Sequence, residues 1–320
     1  MIKKIGILTS GGDAPGMNAA IRSVVRTAIY NNIKVLGFER GYQGLIDNSF
    51  YEMGMTSVSD IIQRGGTILK TARCEAFKTT EGQKYASCIL EKNQVDALVV
   101  IGGEGTFKGA LEIQKMGVKV IGIPGTIDND VYGTEYSIGF DTAVDTVVGA
   151  LNKIRDTASS HERIFVIECM GRNSGWIALM SGIAGGAEDI LIPEREFSYQ
   201  ESAKKIKDGF DRGKAHGIIV LAEGVEKSEV FSEKLEQHLG MSVNRIVLGH
   251  IQRGGNPSSF DKILGSKLGY WAIEELLKSN YGNMVGIKGS EKVLVPFKET
   301  ATNIKNVDEE LYEMAKVLNL

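Results

Sequence analysis

The stretch "VKVIGIPGTIDND", Val118–Asp130, decides the fold. Its first six residues are rich in Val and Ile and carry no helical period, so they read as a strand buried on both faces, the kind found in parallel sheets. The strand then empties into glycine and two carboxylates, Asp128 and Asp130, only two residues apart. A turn needs one such residue and takes Asn as readily as Asp. Ligands in open α/β sheets bind beyond the carboxyl ends of the strands, where loops of this kind collect.

Outward from this stretch the same design recurs. Apolar runs "IGILTS", "IKVLGF", "DALVVIGG", "KVIGIPG", "RIFVIECMG", "DILIPE", "GIIVLAEG" and "RIVLGH" alternate with helical stretches that include Met17–Tyr30, Phe140–Thr157 and Ser258–Lys278. Continuous apolar strands separated by helices predict an α/β fold with parallel sheets covered on both faces. Many strands end in "TSGGD", "GGEGT", "PGTIDND", "MGRNSG", "AEG" or "GHIQRGG", which predicts that several loops converge on one cleft. No Pro-rich or low-complexity linker divides the chain, so a boundary near residue 138 rests on the distribution of elements alone. Both halves share the strand-then-glycine style, which suggests two similar lobes, and a closing helix is expected over 304–320.

The chain has 320 residues, enough for one large or two ordinary domains with a substantial core. Its formal net charge is only −3 with both signs interspersed, so there is no electrostatic case for nucleic acid or an anionic membrane. The apolar run after Lys3 and Lys4 reaches polar Thr9 and Ser10 too soon for a signal peptide or a membrane span. Cys74, Cys88 and Cys169 show no paired spacing, and a reducing, cytoplasmic location is the expectation.

Two glycine loops have the character of phosphate cradles. "LTSGGDAPGMN", Leu8–Asn18, places Gly11 and Gly12 after a strand and Pro15 before a helix, where backbone N–H groups and the helix start favour an anion. It lacks the P-loop lysine and the dinucleotide fingerprint, and a tight structural turn explains it as well. "GGEGTFKG", Gly102–Gly109, adds a carboxylate, Glu104, and a hydroxyl, Thr106. Mg²⁺ held between Glu104 and substrate phosphates accounts for that pairing, and so does a surface carboxylate near a helix start. Asp128 and Asp130 can then serve as base and metal partner for a hydroxyl attacking a γ-phosphate, although an Asx turn with both acids in solvent fits the local pattern equally. Arg73, Arg163, Arg172, His250 and Arg253 lie at strand ends; the guanidinium fork suits a phosphorylated substrate.

Taken together, "GILTSGGDAPGMNAAIR", "GGEGT", "PGTIDND", "RDTASSHER", "MGRNSG" and "LGHIQRGG" resemble, in order and spacing, the bacterial ATP-dependent 6-phosphofructokinases. The resemblance implies two Rossmann-like lobes: residues 1–138 with about 251–303 binding ATP, and 139–250 with about 304–320 binding fructose 6-phosphate. It implies transfer of the ATP γ-phosphate to the 1-hydroxyl of fructose 6-phosphate in a homotetramer. By motif, Gly12, Arg73, Cys74, Gly103, Glu104, Gly105 and Thr106 match the ATP site, with Glu104 as the Mg²⁺ ligand. Asp128 matches the proton acceptor, supported by Thr126 and Asp130, and Arg172 the group that stabilises the transferring phosphoryl. Met170, Gly171, Glu223, His250 and Arg253 match the sugar-phosphate site, with Arg163 reaching in from a neighbouring subunit. Pyrophosphate-dependent members typically carry Asp where Gly105 stands and Lys where Gly125 stands, so glycine at both implies ATP.

Three positions depart from the pattern. Glu104 replaces the usual Asp, Thr106 the usual Ser, and the second cross-subunit Arg falls at Asn244, with Arg245 one place later. In a strand that shift turns the side chain to the opposite face unless the backbone bulges. Arg22 and Arg26 share a helix face, which a solvated surface explains and an anionic ligand explains too. The resemblance places an ADP or phosphoenolpyruvate effector there, with Asp60, Arg155, Gly186, Glu188, Arg212, Lys214 and His216 at matching positions. Met55 stands where well-known members commonly have Arg. The alternatives are a kinase of another sugar phosphate, such as tagatose 6-phosphate or sedoheptulose 7-phosphate, a silent metabolite-sensing subunit, and a nicotinamide oxidoreductase. Intact Asp128, Asp130 and Arg172 argue against the second, and the missing fingerprint against the third.

Overall fold

The computed structural model describes residues 2–318, and among them the chain forms eleven strands and eleven α-helices. The strands are β1 (Lys4–Thr9), β2 (Lys34–Phe38), β3 (Phe50–Glu52), β4 (Ala97–Gly102), β5 (Val120–Pro124), β6 (Ile164–Cys169), β7 (Asp189–Leu191), β8 (Gly217–Ala222), β9 (Val243–Val247), β10 (Asn283–Lys288) and β11 (Glu291–Pro296). The helices are α1 (Met17–Tyr30), α2 (Tyr42–Ile46), α3 (Thr80–Lys92), α4 (Glu104–Lys115), α5 (Phe140–His161), α6 (Trp176–Gly185), α7 (Tyr199–Asp211), α8 (Ser228–Leu239), α9 (Ser259–Leu277), α10 (Phe297–Thr302) and α11 (Glu309–Leu318). The chain divides into two compact units, one running up to Asp141 together with Arg253–Lys305, the other Thr142–Gln252 together with residues from Asn306 on.

The first unit holds a seven-stranded sheet in the order β11-β10-β5-β4-β1-β2-β3. Its interior is parallel; β3 and β11 close the two edges antiparallel. Every residue of β4 and β5 is buried, which is why these segments read as unbroken apolar runs. The strand order reverses between β1 and β4, the switch point at which such sheets bind ligands. Helix α1 buries Ala20, Ile21, Val24 and Ala28. It lies close against α9: a Cβ at Gly265 would stand 2.8 Å from the carbonyl of Gly16, which precedes α1, and one at Gly269 would stand 2.6 Å from that of Ala20 within it.

The second unit holds a parallel sheet in the order β7-β8-β6-β9, with β8 buried throughout and Phe231, Leu235 and Leu239 of α8 packed in its core. The fold is α/β with largely parallel, helix-covered sheets, as the alternation predicts.

Two expectations are corrected. The closing helix begins at Glu309, not at residue 304, because the Asp308 carboxylate accepts the Glu310 and Leu311 N–H groups at 2.8 and 3.3 Å and so fixes the first turn there. The last two residues of that expected helix lie outside the described residues. The antiparallel strands β3, β10 and β11 were not among the predicted runs.

Candidate active site

Strands β1, β4 and β5 are neighbours, and their carboxyl ends open on one cavity of about 860 Å³. It is lined by Gly11 and Gly12 after β1, by Gly103, Glu104, Gly105 and Thr106 after β4, and by Gly125, Thr126, Asp128 and Asp130 after β5. Arg73, Cys74, Lys78 and Lys108 complete its rim. The sequence predicted convergence of these loops, and within the first unit it occurs.

Short bonds hold the loops together. Thr106 Oγ1 donates to Ser10 O at 3.1 Å, tying the start of α4 to the turn after β1, and buried Tyr42 Oη donates to Thr106 O at 2.7 Å. A Cβ at Gly102 would sit 2.2 Å from Thr106 Oγ1 and 2.4 Å from Ser10 O, so only glycine lets these loops meet. Glu104, Gly105 and Thr106 form the first turn of α4; the Thr106 N–H donates to Gly103 O at 3.0 Å, and the helix start favours an anion. Gly105 faces open space, with nothing within 4 Å of where a Cβ would stand.

The loop after β5 is rigid for a different reason. Asn129 lies between the two acids with φ 49° and is 1% exposed. Its amide Nδ2 donates to Glu135 O at 3.2 Å, and its Oδ1 accepts the Ser137 N–H at 2.9 Å. The Asp128 N–H reaches Thr126 Oγ1 at 3.3 Å. The buried middle residue therefore turns both flanking acids toward the cavity they line. Burial, then the neighbouring charge of Asp128 and the more distant Glu104, push the Asp130 carboxyl up to about 6, while its own backbone hydrogen bond and Lys305 act the other way.

This donor set fits a hard divalent cation. Glu104, Asp128 and Asp130 line one cavity, and the first two raise the cost of charge on Asp130. Glu104 is paired with Lys108 one turn on, at the exposed rim. Among the described residues no cluster of three or more His, Cys, Asp or Glu could cage a metal unaided. Mg²⁺ is ordinarily held by one or two carboxylates together with substrate phosphates, so the arrangement suits it.

Arg253 belongs to this unit and this cavity. Its guanidinium lies over Gly12, where an added Cβ would stand 2.2 Å from Nη1, and it donates to Asp13 O at 3.4 Å. In the second unit, Met170 and Gly171 follow β6 and are buried, whereas Arg172, Arg163, Glu223 and His250 are exposed. Strand β9 pairs with β6 without a bulge, Asn244 opposite Phe165 and Arg245 opposite Val166. Arg245 accordingly lies on the opposite face from Asn244. It pairs with Glu229 at 2.8 Å, while Asn244 Nδ2 donates to Ile164 O at 3.3 Å.

The residues matched to an effector site fall in both units. Arg22 and Arg26 are half-buried on α1, and Asp60 is exposed with φ 52°. In the second unit Arg155 donates to the carbonyls of Gly185 and Gly186, and Lys214 Nζ lies 3.3 Å from the buried Glu188, which also accepts the Ile218 N–H at 2.6 Å. His216 is within the field of Glu188, Arg155 and Lys214, and burial followed by those two cations lowers its pKa while Glu188 raises it. Arg212 is exposed at the end of α7. Sequence reasoning did not single out Tyr42, Phe77, Lys78 or Lys108, which line the cavity, nor Asn129, Ser137 and Lys305, which hold the acid-bearing loop. Asn129 alone had a signal, as the residue between the paired acids.

The family model described as phosphofructokinase matches residues 4–276. The chain belongs to the phosphofructokinase family. It is 51% identical to an ATP-dependent 6-phosphofructokinase of Halothermothrix orenii over 332 residues, covering 100% of both chains. It is 52% identical to one of Clostridium novyi over 318 residues, covering 99% of this chain and 100% of the relative. Among solved structures, Pichia pastoris phosphofructokinase in the T-state is 33% identical with a TM-score of 0.89, covering 99% of this chain and 36% of that longer one. A pyrophosphate-dependent phosphofructokinase of Marinobacter aquaeolei, 22% identical with a TM-score of 0.87 over 97% of this chain and 86% of its own, shares the fold.

Proposed function

We propose that this chain is an ATP-dependent 6-phosphofructokinase, moving the γ-phosphoryl group of ATP to the 1-hydroxyl of fructose 6-phosphate in glycolysis. The observation that carries this reading is the single cavity on which two glycine cradles and the Asp128–Asp130 loop all open. The 1-hydroxyl oxygen forms a bond to the γ-phosphorus as the bond to ADP breaks, and the hydroxyl proton passes to Asp128. Thr126 orients Asp128 through its backbone N–H, and Asp130 supports the site's negative charge. Gly12, Arg73, Cys74 and residues 103–106 bind ATP. Glu104 would hold Mg²⁺, which when bound neutralises phosphate charge, and Asp130 lines the same cavity. Gly105, open in front, leaves room that an Asp there would fill, which supports ATP over pyrophosphate.

Arg172 stabilises the transferring phosphoryl group, and Met170, Gly171, Glu223, His250 and Arg253 bind the sugar phosphate, with Arg163 contributed to a neighbouring subunit. Arg245 is a weaker candidate than its spacing suggests, because it is already engaged with Glu229. A homotetramer is supported by the exposed apolar stripe Ile263, Tyr270 and Leu277, spaced by sevens along α9 at 58, 47 and 45% exposure. Effector binding of ADP or phosphoenolpyruvate at Arg22, Arg26, Asp60, Arg155, Gly186, Glu188, Arg212, Lys214 and His216 is supported by the clustering of Arg155, Lys214, Glu188 and His216. No helix among the described residues is long and apolar enough to cross a membrane, and the three free cysteines support the cytoplasm.

The test is a coupled assay offering ATP or pyrophosphate against fructose 6-phosphate, with tagatose 6-phosphate and sedoheptulose 7-phosphate as rival acceptors, with and without ADP and phosphoenolpyruvate. Robust turnover with pyrophosphate in place of ATP, or a higher kcat/KM for a rival acceptor, overturns the reading.

A further inference from the structure

Lys305 is the last residue of the first unit and follows α10, whose Ala301 and Thr302 line the cavity. Its half-buried ammonium donates to Glu135 O at 2.7 Å. That carbonyl is the one to which Asn129 Nδ2 also donates, so Lys305 and the residue between the paired acids share one acceptor. Glu135 is itself anchored, its N–H on Ile287 O at 2.8 Å and its carboxylate on the Gly289 N–H at 2.5 Å. Ser137 Oγ lies 2.7 Å from Thr126 O and 3.2 Å from Asn129 Oδ1, closing the loop. The charges facing Lys305 are Asp130 and Glu135, and it is the cation that opposes burial and the neighbouring carboxylates at Asp130.

We propose that Lys305 is a positioning residue for phosphoryl transfer: it pins the loop carrying Asp128 and Asp130 by donating to the Glu135 carbonyl that also holds Asn129. It acts through that loop and belongs to none of the cradles that hold ATP. This rests on the kinase reading above, and it predicts a separation of kcat from KM. Misplacing a reacting group by about an ångström costs on the order of a hundredfold in rate.

The experiment compares wild type, Lys305→Met and Lys305→Arg with ATP and fructose 6-phosphate, alongside amide hydrogen exchange of the peptide spanning 126–137. Lys305→Met is expected to lose roughly ten- to a hundredfold in kcat, with KM for ATP within about twofold and faster exchange confined to that peptide. Lys305→Arg, which keeps the charge and the donor, is expected to recover most of the kcat. Wild-type kcat in the Met variant, a change in KM alone, or an Arg variant as impaired as the Met variant overturns the proposal. If the Met variant does not fold, Lys305→Gln takes its place: a lowered kcat supports the proposal and an unchanged one overturns it. Failure of wild type to use these substrates would instead sink the kinase reading, and the exchange comparison would still report on the pin.

Discussion

Replacing Asp130 with Asn should stabilise the ligand-free protein at neutral pH while damaging the chemistry. The carboxyl is raised from an ordinary 3.8 to about 6, chiefly by burial and then by Asp128 and Glu104. A raised acid binds its proton more tightly in the folded chain than in the unfolded one. Below about pH 4 the group is neutral in both states and has no effect. As pH rises through 4 to 6 the unfolded state ionises first, so wild-type stability falls, and above 6 the cost is fully expressed. At about 1.4 kcal/mol per pH unit separating the two values, the cost approaches roughly 3 kcal/mol at pH 8 and about half that at pH 5. These figures are ceilings, because Asn does not relieve Lys305 of its own burial. The assay is thermal or urea unfolding of wild type and Asp130→Asn in EDTA from pH 5 to pH 8. The variant should gain several degrees at pH 8, with the gain shrinking toward pH 5. A variant no more stable than wild type at pH 8, or a gain independent of pH, refutes the electrostatic account of this loop.

Asp128→Asn, near-isosteric but unable to take a proton, should cost about 10²- to 10⁴-fold in kcat with ATP affinity by equilibrium titration unchanged. Gly105→Asp should fold with near wild-type melting, since nothing lies within 4 Å of its new Cβ, yet raise KM for ATP at least about tenfold by filling the cradle. Glu104→Gln should raise the Mg²⁺ concentration for half-maximal rate without altering the fold's far-ultraviolet spectrum. Glu275 is a different kind of acid: against the cost of burial, hydrogen bonds from Lys292, Asn280 and Lys278 hold its carboxyl down at about 2. Its contribution is fully present above the unfolded value of 4.5 and is lost as pH falls toward 2, so Glu275→Gln should lower stability by about 2–3 kcal/mol at pH 7 and less in acid, read by urea unfolding.

The parts of the fold legible in the sequence are those in which local composition and tertiary setting agree. Strands β4, β5 and β8 are buried from end to end, so nothing but apolar residues suits them, and β6 departs from that only at partly buried Glu168. Strands β10 and β11 escape that logic. They form a hairpin at the sheet's edge, with Gly289 at φ 60° in the turn and one strand half-buried, so "NMVGIKGSEKVLVP" shows a diluted apolar pattern. The closing helix starts five residues later than expected, because residues 304–308 carry no signal that separates a connecting segment from a first turn. Ile304 is 78% exposed, and the helix waits for the Asp308 cap.

The site divides along the same line. Glycine cradles and paired acids announce themselves because each loop must carry its own backbone geometry and charge. What gathers them is the strand order β5-β4-β1, which places three loops far apart in the chain side by side, and no local signal encodes which strands will be neighbours. Lys305 illustrates the limit. Within "ATNIKNVD" it is one lysine in a stretch of mixed character with no motif, and it donates to a main-chain carbonyl, Glu135 O, 170 positions away. A carbonyl is present at every residue and leaves no trace in the amino-acid letters. Side chains that work on substrate are therefore readable from type and spacing, whereas those that hold the working loop through the backbone become visible only once the chain is folded.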